Sequence, residues 1–419
     1  MAAQEGVFTT VDALVAAATD ETVQRIIVRG DLADAPSIRL SPGQSLLGED
    51  ETSRVTFATG MDGLQLSSDN LVRNIHLNVS PDRRAIFNDT TVASLGRIEL
   101  CSVTTIGRVQ ILARDNVRSG HIDVNSLDII AADARGESTR PHGYGVHVLH
   151  GAFTLWNMQP DDAVIISADL IGLSAGRDGA PVRGSGIFVS GAGDKGGRLN
   201  VRRLETDAVY SDGGIAPGTS DQIAGGVFTV YGAHIDVVRN RGPVVTYGVN
   251  DMVLDNWGIV DRWTAEQKIT SYGPSGIGFV NFGIVNELKV NAPIETFGQG
   301  ARGFNVYTGT VNLAEFDRVA THADGAIGIQ ISQPIGKLIV HRGIETFGGT
   351  GPSLVKGVVI NLSAIALSIR PGGSAREIEI SGGIKTNGVG VTPIEQHGAI
   401  DSLRVTGGFI AAGGGFDKI

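Results

Sequence analysis

The chain has 419 residues, of which 59 are glycine, 42% are hydrophobic and only 19% are charged. Glycine is thus at about twice its usual ~7% share and charge is below the usual ~25%; this excludes a coiled coil, in whose helices glycine is costly, and a disordered chain, which lacks the apolar residues to build a core. A net charge of −10 argues against nucleic acid, whose phosphates require clustered Lys and Arg, and with no run of 18 or more apolar residues a spanning helix, and a membrane as partner, are excluded too.

In chain order, residues 11–18 read as a helix. Thr9 or Thr10 supplies the N-cap, and Val11, Leu14, Val15 and Ala18 share one face. Residues 1–10 have no basic region followed by an apolar run, so no signal peptide is expected and the expected location is cytoplasmic. The single cysteine, Cys101, forms no internal disulfide. From residue 22 onward, short β-branched and apolar runs are broken by Gly, Asn, Asp and Pro. Residues 25–29, 37–40, 45–47, 54–57 and 63–66 are predicted strands, and the pattern continues to the C-terminus.

An internal repeat decides the fold. Ile294-Glu295-Thr296-Phe297-Gly298 recurs as Ile344-Glu345-Thr346-Phe347-Gly348, with Val319-Ala320-Thr321-His322-Ala323 midway, so the step is 25 residues. Ile384-Lys385-Thr386-Asn387-Gly388 follows after a 40-residue interval, and residues 279–283, 304–307, 327–332 and 358–362 form a parallel series. Several short strands per step, each ended by a turn, describe one coil of a parallel β-helix, in which each strand pairs with its equivalent in the next coil about 4.8 Å away. Alternation sends Ile294 and Thr296 inward and Glu295 and Phe297 outward, and stacks Thr321, Thr346 and Thr386 in a ladder. The expected organisation is an N-terminal segment and capping helix over residues 1–21, protecting the open edge of the first coil, and a single all-β domain over 22–419.

The run Ser37-Ile38-Arg39-Leu40-Ser41-Pro42-Gly43-Gln44-Ser45-Leu46-Leu47-Gly48, with Gly63-Leu64-Gln65-Leu66 and residues 70–77, resembles the opening coils of the right-handed parallel β-helix proteins of the pectin-lyase-like class. The resemblance implies that fold over the whole chain and a place among lyases, hydrolases, epimerases and transferases that act on saccharides; it also makes a homotrimer the expected oligomer. The class's catalytic motifs are missing. There is no Gly-His-Gly with paired Asp, no Asp-Pro-His and no Asp-rich calcium strand set, so no residue role transfers.

The residues themselves offer two signals. All six Tyr and all three Trp fall between residues 144 and 307, and Tyr231, Phe282 and Tyr307 are expected on one outer face, where flat rings suit the apolar faces of sugars. Seven aspartates, 207, 212, 221, 236, 251, 255 and 261, share that stretch, and glycosidic chemistry uses a carboxyl pair. If Met252 and Leu254 point inward, Asp251 and Asp255 project outward beside Trp257. Asp251, Asp255 and Asp212 are therefore the candidate catalytic residues. Tyr210, Tyr231, Tyr247, Trp257, Asp261, Trp263, Phe282 and Tyr307 are the candidate substrate-binding residues, with the loop 210–223 as a wall. His142, His147 and His150 lack companion carboxylates, so neither a metal nor a cofactor is expected. The expected function is a carbohydrate-active enzyme, a glycoside hydrolase, transferase or lyase working in a groove on the side of the helix. The alternative is a noncatalytic scaffold or glycan-binding protein.

Overall fold

A computed structural model describes residues 4–140, 145–355 and 357–415. The architecture is an all-β parallel β-helix with one α-helix. The chain divides into two compact units. The first comprises Met1–Glu137, His150–Ala208 and Val230–His234; the second comprises Ser138–Leu149, Val209–Thr229 and Ile235–Ile419.

In the first unit, the helix Val11–Thr19 begins at Thr10, whose extended backbone (φ −136°, ψ 151°) lets its hydroxyl accept from the Ala13 N–H at 3.4 Å. Leu14, Ala17 and Ala18 are buried beneath it. Its C-terminal carbonyls are closed by fully buried Gln44, which donates through Nε2 to the Ala17, Asp20 and Val23 oxygens at 3.2, 3.1 and 2.8 Å. A strand that the sequence pattern did not signal, Gln4–Phe8, precedes the helix and pairs in parallel with Val23–Val28. Behind this cap, side chains stack in register from coil to coil. One core ladder runs Ile26, Leu46, Val72, Leu100, Val124, Leu170. The facing ladder runs Ile38, Leu64, Ile86, Val109, Phe153, Ile187. All twelve are buried, which is the hydrophobic reward for closing each coil.

The second unit carries the repeat. Val244, Ile269, Ile294, Val319, Ile344, Ile384 and Phe409 stack in one ladder. Across the core Leu254, Phe279, Phe304, Ile329, Leu367 and Ile394 form another. Thr321, Thr346 and Thr386 are in register as expected, but each hydroxyl donates to a nearby carbonyl (Ala326 at 2.9 Å, Ala364 at 2.5 Å, Val391 at 2.8 Å) and not to the next threonine. The series 279, 304, 327 continues through Leu367–Ile369, which corrects its assignment to residues 358–362. Those residues instead lie in Val358–Ser363, the outer strand of an antiparallel hairpin with Thr350–Val355, inserted in the long interval; its Val358 and Val359 are more than half exposed. Apolar composition alone does not tell a hairpin from a core strand. Among the described residues no helix is long and apolar enough to cross a membrane.

Inward and outward positions of one repeat should respond differently to truncation. Phe304→Ala removes a fully buried ring and should destabilise the second unit by about 3–5 kcal/mol in urea unfolding. Phe297→Ala, at a ring that is 37% exposed, should cost less than half of that. Equal costs would contradict the assignment of faces.

Candidate functional site

The site lies in the second unit, on the outer face of three stacked strands, Asp251–Asn256, Ile277–Asn281 and Arg302–Val306. Leu254, Phe279 and Phe304 point into the core, so alternation turns Asp255, Val280 and Asn305, which are in register, to the opposite face. A Cβ at Gly278 or Gly303 would lie 2.4 or 2.3 Å from methyls of Ile294 and Val319, so only glycine fits there. Met252, Ile277 and Arg302, three residues upstream, also line the cavity. After the strands, Asn256 Nδ2 donates to Asn281 Oδ1 at 2.8 Å, and this asparagine rung aligns the residues that follow, Trp257 and Phe282, with Tyr307 beyond them.

An outer face of a bare coil would be wet; this one is covered. The loop 213–223 and the strand His147–Leu149 are tied together by parallel pairing of His147 with Gln222 and Val148 with Ile223. Asn250 Nδ2 anchors the same loop through the Thr219 and Gln222 oxygens at 2.8 and 3.2 Å. Together with Leu354 and Gly357 of the hairpin, Val146, Ser220, Asp221 and Ile223 complete a cavity of about 480 Å³. Its remaining lining includes Met252, Asp255, Trp257, Ile277, Val280, Phe282, Arg302 and Tyr307.

Asp255 is the unusual group in this cavity. The residue has no exposed surface, and among the described residues its carboxyl oxygens have no hydrogen-bond partner of regular geometry, only the Trp257 indole beside them. Burial raises its pKa well above the ordinary carboxylate value, and the indole of Trp257, acting in the other direction, offsets this only in part. A neutral acid therefore faces the cavity. Asp221, on the covering loop, is exposed.

The rings do not form a flat platform. Phe282 and Tyr307 stack with centroids 5.2 Å apart and planes within 14°, and Trp257 tilts by 55° on Phe282 at 5.1 Å. Stacked along the coil direction, Phe282 and Tyr307 cover each other's faces. Tyr247 belongs to a second stack, Tyr247, Tyr272, Phe297, His322 and Phe347, with centroid spacings of 5.4, 5.2, 4.4 and 4.8 Å.

Of the candidates read from the sequence, Asp255, Trp257, Phe282 and Tyr307 line the cavity. The others stand elsewhere. The buried Asp251 accepts the N–H groups of Gly213 and Gly248 through Oδ2 at 3.0 and 2.8 Å, which fixes the start of the covering loop. A Cβ at position 213 would come within 2.6 Å of Asp251 Oδ1, which explains the glycine. Asp212 accepts from the Gly214 N–H at 2.8 Å in the same turn, and Tyr210 is half-buried just upstream. Trp263 is a core residue, donating to Asn240 Oδ1 at 2.8 Å and lying edge-on to Phe279. Asp261 is exposed and accepts from Asn286 at 3.0 Å. Tyr231 is half-buried in a turn of the first unit. His142 lies outside the described residues and His147 is half-buried on its strand. His150, in the first unit, packs against Trp156 and Phe188, with Nδ1 3.2 Å from Glu137; that hydrogen bond first, then Arg108 and Gln110, hold the carboxylate ionised to unusually low pH. Arg302 escaped the sequence reading. Its signal was a lone charge at a repeat position otherwise held by Met252, Ile277 and Ile327.

No protein-family model, curated protein or solved structure matches the chain.

The raised pKa of Asp255 has a consequence for stability. The unfolded carboxyl ionises near pH ~3.9 whereas the folded one stays protonated, so the folded state binds the extra proton and stability falls as pH rises from about 4 through the folded pKa. Asp255→Asn removes this dependence. Near pH 7 the variant should melt at least about 2 °C higher than the native protein, and the difference should close at pH values below about 4. An increment independent of pH in thermal melts would show that Asp255 is ionised in the fold.

Proposed function

We propose that the cavity of the second unit is the active site of a carbohydrate-active enzyme that cleaves or transfers glycosidic bonds of an oligo- or polysaccharide. One observation carries this reading: two carboxyls in opposite environments line one cavity, Asp255 fully buried and neutral, Asp221 exposed. Glycosidic chemistry asks for that asymmetry, one acid that keeps its proton near neutral pH and one carboxylate that does not.

Asp255 acts as general acid and gives its proton to the glycosidic oxygen as the bond from that oxygen to the anomeric carbon breaks. Asp221 is the base. It takes the proton of the incoming water, or of an acceptor hydroxyl in a transfer reaction, as the new bond to the anomeric carbon forms. Asp221 then releases the proton it took to solvent and Asp255 regains one from solvent, which closes the balance. Trp257, Phe282 and Tyr307 supply the apolar wall beside Asp255, while Asp251 acts only through the covering loop.

Incubation with a broad panel of plant, microbial and fructan oligosaccharides, read by mass spectrometry, tests the reading. Cleavage or transfer products are expected, and Asp255→Asn and Asp221→Asn should each lose at least about a hundredfold in rate, the usual scale of one acid or base. Because Asp255 must be protonated, kcat/KM should fall on the alkaline side as pH passes its raised pKa, well above the range of an ordinary carboxylate. Full turnover by both variants would move the site out of this cavity. Binding without any products would identify a glycan-binding protein.

A further inference from the structure

Arg302 is a buried cation without a counter-charge. The residue is 1% exposed, and its guanidinium donates to the Gly300 oxygen at 3.0 Å, to Ser353 Oγ at 3.1 Å and to Gln330 Oε1 at 3.4 Å. All three acceptors are neutral, and among the described residues no carboxylate pairs with it. A guanidinium has five N–H donors, so part of its capacity is unused, and a buried charge without a partner is far costlier than a buried dipole. Stacking along the row does not require a charge there, since the positions in register before and after it are Ile277 and Ile327, and a neutral donor would serve the bond to Ser353.

The neighbouring groups repeat the pattern. Asn305, in the same strand and without exposed surface, has no partner for either amide atom among the described residues, and the Asp255 carboxyl has only the Trp257 indole beside it. Arg302 and Asp255 line the same cavity, with Asn305 one register step beyond Val280, another lining residue. Unmet donors, acceptors and one positive charge thus gather on a single covered patch of sheet. Such a patch is costly to an empty fold and suits one that holds a ligand.

We propose that the cavity takes a ligand whose inner end carries one carboxylate, paired with the Arg302 guanidinium; in a saccharide this is a single acidic residue at the chain end. The inference rests on the enzymatic reading above only for the ligand being a sugar. A planar guanidinium fork matches a carboxylate by two parallel hydrogen bonds. One buried cation balances one negative charge, which favours a carboxylate over a phosphate dianion. Asp255 is neutral and does not repel it. A cavity of about 480 Å³, bordered by the hairpin and the loop, is of small-ligand size. This also reconciles an acidic ligand with a net charge of −10, since only one anionic group enters.

Calorimetric titration of the full chain with methyl glucuronoside and methyl glucoside, which differ in a carboxylate against a hydroxymethyl group, tests the proposal. The glucuronoside should bind at least about tenfold more tightly to the native protein, and Asp255→Asn, measured without turnover, should keep the preference. Arg302→Gln should abolish it, with circular dichroism confirming the fold; where this variant does not fold, the native comparison decides alone. Equal binding of the two probes, or tighter binding of glucose 6-sulfate or glucose 6-phosphate, overturns the carboxylate assignment. Turnover of neutral oligosaccharides with no preference between the probes would sink this inference and leave the enzymatic reading standing. A carboxylate preference with no turnover of any sugar would do the reverse.

Discussion

Register between successive coils governs the rest of the structure. A parallel strand that pairs residue for residue with its equivalent about 4.8 Å away must send equivalent side chains to the same side, coil after coil. Core ladders such as Val244 to Phe409 follow from that rule, and so do the outward rows. The rule is indifferent to chemistry. It stacks isoleucines into a core, asparagines into hydrogen-bonded turns and phenylalanines and tyrosines into columns, and it places Asp255, Val280 and Asn305 in one row because 25 residues separate each from the next.

The cavity forms where the repeat is interrupted. The loop 213–223 and the hairpin of Thr350–Val355 and Val358–Ser363 are insertions between coils, and they convert a stretch of outer face into an interior. Burial then changes the chemistry of residues whose orientation the coil had already set. A carboxyl that would be an ordinary surface group has its pKa raised by burial at Asp255, and a guanidinium that would be solvated becomes, among the described residues, a cation without a carboxylate partner at Arg302. Hydrogen bonds from the coil hold the cover in place: Asp251 grips the start of the loop, Asn250 its far end, and Arg302 with Ser353 joins the hairpin to the strand.

The aromatic residues show how the same register limits what a side chain can offer. Rings in successive coils approach within 4.4–5.4 Å in the stack from Tyr247 to Phe347, close enough to use one another's faces. A sugar stacking on such a column would have to compete with a neighbouring ring. The aromatic enrichment between residues 144 and 307 is therefore chiefly architectural: Trp263 fills the core, Tyr247 joins a column, and the three rings at the cavity act as a desolvating wall.

The coil is legible in the linear chain. The 25-residue recurrence of Ile-Glu-Thr-Phe-Gly, the alternation within it and the Thr10 cap on a short amphipathic helix are local or periodic signals, and they lead to the parallel β-helix and to the inward and outward faces of residues 294–297. They also carried the outward orientation of Asp255 and the alignment of Phe282 with Tyr307. Which outward residues are covered depends on contacts between distant segments. The cover comes from segments as far apart as Val146, Asp221 and Leu354, and none of these has a period that links it to the strands beneath. Asp251 and Asp255 look alike in the sequence, four residues apart on one run, yet one is held by two backbone N–H groups and the other by none. That difference is set by long-range closure of loops over the sheet, and a linear pattern of apolar and polar residues contains no record of it.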